Sequence, residues 1–220
     1  MIITVGGTKG GSGKTTISTN ITVWLARQGK DVLLVDADDQ ASAMSFTGFR
    51  HNTLQGEVGY TPVKLTGDKI FTYIKSMEKK FTDIVIDTGG RDTVSQRAAL
   101  LVSDLYLVPF VPRSFEMWTL GTVDQLVGEV KAMNPGLQPK AFLNRVEPRS
   151  NYVAGAVELL QNSQNLIPVM AQLGDRVVYA HSAVQGLGII EYRPSDKTAE
   201  QEFNALMQEI LETTTDHTSH

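Results

Sequence analysis

Nine consecutive residues, Thr8-Lys9-Gly10-Gly11-Ser12-Gly13-Lys14-Thr15-Thr16, constrain this chain more than any others. They follow the apolar run Met1 to Val5 and precede apolar residues at helical spacing, Ile17, Ile21, Trp24 and Leu25. A glycine-rich turn between a buried strand and a helix start lets several backbone N–H groups converge, and the helix dipole adds partial positive charge. That is a recipe for holding phosphate. Lys14 can reach the outer phosphates, and the Thr15 hydroxyl can ligate Mg²⁺. The usual pattern, G-x-x-x-x-G-K-[ST], ends here in Gly13-Lys14-Thr15, but Thr8 stands where its first glycine belongs. In exchange the loop carries a second lysine, Lys9.

The rest of the chain reads as strands alternating with helices, which argues for an α/β fold: a doubly wound, mostly parallel sheet with helices on both faces. Strands are expected at Ile2 to Val5, Val32 to Val35, Asp83 to Asp87, Leu105 to Val108, Ala141 to Leu143 and near Pro168 to Leu173. Helices are expected from about Lys14 to Gln28, Asp68 to Lys79, Thr93 onward, Ser114 (as N-cap) to Met133, Val153 to Gln161, Asp175 to Val184 and Thr198 to Glu212. Phe46 to Thr66, with four glycine or proline interruptions, reads mainly as loop with a short strand around Val63. One domain over residues 1–212 and a disordered polar tail over 213–220 are expected.

With 220 residues, 41% hydrophobic and 20% charged, the chain is an ordinary globular sequence. It has no cysteine, which excludes disulfides, thiolate catalysis and iron–sulfur clusters. No basic leader precedes the first strand, and no apolar run reaches the roughly 18 residues of a membrane span, so a cytoplasmic place is expected. The net charge of −4 gives no global pull toward nucleic acid.

Two acidic strand ends complete a phosphate-handling set. Asp36-Ala37-Asp38-Asp39-Gln40 ends the second strand, and Asp87 ends Ile84-Val85-Ile86. In a doubly wound sheet that edge is where ligands bind, and carboxylates there suit a Mg²⁺ shell or an attacking water.

The loop with its early lysine resembles the deviant Walker A motif of the ParA/MinD family of ATPases, and Asp36 to Gln40 resembles that family's V-D-x-D-P-Q segment with Asp39 in place of proline. The resemblance implies ATP or ADP held by Lys9, Gly10, Gly11, Ser12, Gly13, Lys14, Thr15 and Thr16. Lys9 would reach the partner's ATP across a nucleotide-sandwich homodimer. It further implies Mg²⁺ at Thr15, Asp36 and Asp87, and a hydrolytic water served by Asp38. Asn144-Arg145 resembles the family's pair beside the adenine base, and Glu191 to Ser195 the base-facing loop. The two prolines that usually follow the Walker B aspartate are replaced by Thr88-Gly89-Gly90-Arg91-Asp92, which is closer to the small ParF-like plasmid partition ATPases.

Such a protein would bind DNA without sequence preference as an ATP-bound dimer. A centromere-binding or adaptor protein would stimulate slow hydrolysis, so that a plasmid or other cargo is segregated on the nucleoid. Candidate DNA contacts are Arg113, Lys140, Arg149, Arg176, Arg193 and Lys197, although basic and acidic residues balance between Arg91 and Lys197. The last helix has an apolar stripe, Phe203, Leu206, Met207, Ile210 and Leu211, opposite Glu200, Glu202, Glu209 and Glu212. An interfacial membrane helix wants a basic polar face, so this one is expected to pack on the domain and no membrane partner is expected. Two rivals remain: a regulatory ATPase of secretion or polysaccharide export that does not bind DNA, and a small-molecule P-loop enzyme of the dethiobiotin-synthase type.

Overall fold

Side chains alternate across a strand, so an unbroken apolar strand must be covered on both faces. The computed structural model, which describes residues 1–112 and 119–215 with side chains to 212, meets that demand with one seven-stranded sheet. In chain order the elements are β1 (Ile2–Val5), α1 (Lys14–Arg27), β2 (Val32–Asp36), α2 (Ser42–Thr53), β3 (Thr61–Lys64), α3 (Lys69–Met77), β4 (Asp83–Asp87) and α4 (Val94–Leu100). Then come β5 (Leu105–Phe110), α5 (Thr119–Lys131), β6 (Gln138–Leu143), α6 (Val153–Gln161), β7 (Ile167–Pro168), α7 (Val177–Ala183) and α8 (Lys197–Thr215).

The strand order is β3-β2-β4-β1-β5-β6-β7, and every pairing is parallel. Alternation sorts the core. Ile3, Val5, Leu34 and Val85 face α1 and α8, whereas Ile2, Leu33, Val35, Ile84 and Ile86 face α3 and α4. A third cluster joins β5 and β6 to α5 and α6. The register Asp36↔Asp87 brings the two carboxylates to adjacent strand ends, and Val5↔Asp87 puts the phosphate loop beside them.

The last helix packs on the domain as its stripe predicts, with Ala199, Phe203, Leu206, Met207 and Ile210 buried against the α1 side of the sheet. Each large side chain so buried contributes roughly 1.5–3 kcal/mol. Its carboxylates also serve the docking. Glu209 accepts from the backbone N–H groups of Met170 and Ala171, and Glu202 pairs with Arg176.

Three expectations are corrected. Residues 46–53, expected as loop, belong to α2. Only Ala43, Phe46, Thr47 and Arg50 are buried along it and Gly48 interrupts it, so it shows little apolar period. The strand expected to Leu173 is cut to Ile167–Pro168, because after Val169 donates to the Ala141 carbonyl the N–H groups of Met170 and Ala171 turn to Glu209. The backbone of Thr213, Thr214 and Thr215 continues α8 where a disordered tail is expected. Ser114, the expected N-cap, and residues 216–220 lie outside the described residues.

Candidate nucleotide site

The phosphate loop is a short route from β1 to α1, and its shape follows from two close approaches. Gly13 enters the helix with φ 91, in the left-handed region, and a Cβ there would collide with the Asn144 amide. Gly90 lies on the loop from the other side, where a Cβ would stand 2.7 Å from the Gly10 nitrogen and the Lys9 carbonyl carbon. Only glycine fits either place. The first turn of α1 holds no acidic residue, so its N–H groups and dipole face an anion unopposed. Inside the loop Lys14, 7% exposed, donates to the Lys9 carbonyl at 2.6 Å.

Beneath the loop the Thr15 hydroxyl donates to one Asp87 oxygen at 2.7 Å. The other oxygen, Oδ1, is buried without a hydrogen-bond partner. Burial pushes the Asp87 carboxyl up to about 7, against the opposing effect of the Thr15 bond. Asp36, likewise raised by burial, accepts from the backbone N–H of Met44 at 2.8 Å and of Asp38 at 3.2 Å. It thereby shapes the turn from β2 into α2. Two adjacent buried carboxylates, an orphaned oxygen and a hydroxyl make a donor set for a hard divalent cation. The residues present fit Mg²⁺.

Above the loop opens a cleft of about 520 Å³ at the carboxyl ends of the strands. One end is lined by Gly10, Gly11, Gly13, Lys14, Thr15, Thr16, Asp38 and Gly90, and the other by Asn144, Arg145 and side chains of the β7–α7 turn and α7. Asp38 is partly exposed on the wall and accepts from the Gln40 N–H at 3.2 Å. Asn144 spends its amide N–H on the Ser12 carbonyl at 2.8 Å, so it holds the loop's shape. Arg145 reaches the Gly11 carbonyl at 3.3 Å and pairs with Asp175 at 3.1 Å. All the expected loop and carboxylate residues are thus gathered at one edge.

Elsewhere the expectations shift. Glu191 does not line the cleft; Arg50, whose side chain is 4% exposed, holds both its oxygens at 2.6 and 2.9 Å. The far end of the cleft is built by Gly174, Asp175, Arg176, Tyr179, Ala180 and Ala183 instead. No local sequence signal marks that assignment, because the partners are 26 to 141 residues away. Lys140 is corrected as a DNA contact: it is 1% exposed, points inward and donates to the Ile210 carbonyl at 2.8 Å. Arg176 is held by Glu202 at 2.6 and 2.8 Å. Arg193 leans on Glu200 at 3.5 Å, Arg149 and Lys197 are exposed, and Arg113 lies outside the described residues. Among the described residues no helix is long and apolar enough to cross a membrane.

Comparison with known proteins agrees with this fold. The family model described as "CobQ/CobB/MinD/ParA nucleotide binding domain" matches residues 3–212. The maintenance of carboxysome distribution protein A of Halothiobacillus neapolitanus is 26% identical over 213 residues, covering 95% of each chain. Among solved structures, a plasmid partition protein of Borrelia burgdorferi B31 bound to AMPPNP superposes with a TM-score of 0.75 at 18% identity, covering 96% of this chain and 98% of that one. The septum site-determining protein MinD of Pyrococcus horikoshii OT3, complexed with Mg-ADP, does so with a TM-score of 0.74 at 21% identity, covering 98% and 97%.

Proposed function

This chain belongs to the CobQ/CobB/MinD/ParA family of nucleotide-binding domains, and from that premise we propose that it is a Mg²⁺-dependent ATPase that positions cargo. The observation that carries the reading is a loop with two lysines in different settings. Lys14 is buried inside the loop, where it neutralises phosphate in cis, while Lys9 is partly exposed and can meet a second subunit's nucleotide. One lysine suffices for a monomer; the second implies an ATP-bound homodimer.

In this reading Thr15 and Asp87 hold Mg²⁺, with Asp36 behind them. The cation supplies charge compensation for the phosphoryl oxygens. Asp38 orients the attacking water, and Asn144 keeps the loop in shape. Phosphoryl transfer asks little more of a protein than positioning and charge. The dimer binds DNA without sequence preference in the cytoplasm, and a partner protein stimulates slow hydrolysis that resets it. The cargo is a plasmid or a larger body. The relatives whose names refer to plasmid partition and carboxysome distribution support that output.

The test is binding to a random-sequence duplex with ATP, ADP or no nucleotide, beside Lys9→Ala, over a range of salt. Binding with ATP alone, lost in the variant and weakened by salt, is expected. The burial of Lys140 and the pairing of Arg176 favour a second reading, an ATP-dependent dimer that recruits a protein without DNA. Dimers on ATP with no DNA bound in any state would establish it.

A further inference from the structure

Residues 89–92 lead from β4 into α4 and pass directly beside Asp38. A Cβ added to Gly89 would stand 3.3 Å from Asp38 Oδ1 and 3.4 Å from its Cγ, so the Gly89 backbone is a wall against that carboxylate. The carboxylate needs one. Among the described residues it accepts a single hydrogen bond, from the Gln40 N–H at 3.2 Å, and one bond at the long end of the range does not fix a rotamer. The wall is itself fastened only at its ends. Thr88 is tied twice to the Val5 carbonyl, by its N–H at 3.1 Å and its hydroxyl at 3.0 Å, but the backbone of residues 89–92 makes no hydrogen bond among the described residues.

The far end is held by a side chain. Arg97 forks onto Asp92, with Nε donating to Oδ1 at 2.8 Å and Nη2 to Oδ2 at 2.6 Å, and its Nη1 donates to Glu129 on α5 at 2.9 Å. Its own base is firm. Thr93 caps α4 by accepting from the Gln96 N–H at 3.2 Å, and Ala98, Ala99 and Leu100 are buried beside it. A bidentate fork sets orientation as well as distance. We infer that Arg97 is a positioning residue for hydrolysis, which by holding Asp92 keeps Gly89 against Asp38 and so fixes the carboxylate that orients the attacking water. The inference rests on the role given to Asp38 above. Arg97 does not line the cleft and acts only through the turn. As a surface ion-pair network, with side chains 38–43% exposed, it adds little to folding stability. Its leverage is local, because no other hydrogen bond holds residues 89–92 and a small displacement beside the reacting atoms slows chemistry far more than it weakens a fold.

The test compares single-turnover hydrolysis at saturating ATP and Mg²⁺ with equilibrium ATP binding. It uses the full chain, Arg97→Ala, Arg97→Lys, Asp92→Asn, the Arg97→Ala/Asp92→Asn double variant and Asp38→Ala. Arg97→Ala hydrolyses about fivefold more slowly, the factor that an ion pair of this exposure supplies, with ATP affinity within about twofold of native. Arg97→Lys, which keeps the charge and loses the fork, falls between the two. The double variant is no slower than either single one, since both remove the same contact. A native rate in Arg97→Ala, additive losses in the double variant, or rate and affinity falling in the same proportion would each overturn the inference. Asp38→Ala separates it from the reading beneath it. If that variant hydrolyses at the native rate, the role of Asp38 falls and this inference with it. If it is inactive while Arg97→Ala keeps the native rate, the inference alone falls.

Discussion

The two ends of the cleft are made in opposite ways. The phosphate end is made of contiguous backbone, residues 8–16, backed by carboxylates at two strand ends. The far end is made of side-chain pairs that join distant segments, Arg145 to Asp175, Arg176 to Glu202 and, behind it, Arg50 to Glu191. Backbone N–H groups need only the right turn and a few glycines, whereas a paired charge needs two elements docked in register. The first kind of site survives the loss of most side chains around it. The second is only as firm as its pairs.

The strongest way to break that contrast is Arg50→Met. It leaves Glu191, whose side chain is 13% exposed, without its cation and with only the Gly188 N–H at 3.2 Å, and a buried charge so stranded costs about 3–5 kcal/mol. Urea unfolding should show a loss of that size, and a loss below 1 kcal/mol would mean that packing alone holds this end. Next comes Lys14→Ala. Single-turnover hydrolysis should fall about 10²–10³-fold, the cost of removing one aimed donor in a phosphoryl-transfer site, with the unfolding midpoint nearly unchanged. A variant that unfolds instead would show that the phosphate end, too, depends on its side chains.

A third test uses pH. In the folded chain burial keeps Asp87 protonated up to about 7, whereas the unfolded chain releases that proton at the ordinary carboxyl value of 3.8. Between those values the folded state binds more protons, so stability falls as pH rises, by at most about 1.4 kcal/mol per unit, and levels off above pH 7. Comparing nucleotide-free native chain with Asp87→Asn isolates the effect: the native chain loses stability from pH 4 to pH 7 relative to the variant. Equal slopes would mean that Asp87 is charged without its cation. The smallest effect is expected for Arg193→Gln, whose side chain is 68% exposed and 3.5 Å from Glu200. Such a pair is worth less than about 1 kcal/mol, and a larger loss in the same unfolding assay would mark Arg193 as part of the paired framework at the far end.

Legibility in the sequence follows the same division. Thr8 to Thr16 could be read because consecutive residues do the chemistry, and the strands because Val32 to Val35 and Ile84 to Ile86 are unbroken apolar runs that each lead into a carboxylate. The α2 helix was hidden because its inner face is fastened by Arg50, which donates to Val58 and Gly186 carbonyls as well as to Glu191, rather than by an apolar stripe. Lys140 looks like surface in sequence; only the docked end of α8, offering the Ile210 carbonyl, explains an ammonium held inside and its pKa lowered by burial. The acidic face of α8 misleads similarly, since Glu202 and Glu209 are docking groups rather than solvated charge.

The contact between Gly90 and the Lys9–Gly10 backbone has no side-chain atom to absorb displacement. Two main chains touching in this way behave as meshed parts, so a shift in either must be passed on. Two residues farther along, Asp92 is gripped at 2.6 Å by Arg97, which also holds Glu129 on the exposed side of α5 at 2.9 Å. The turn after β4 is thus tied to the phosphate loop by backbone on one side and to the outer face of α5 by charge on the other.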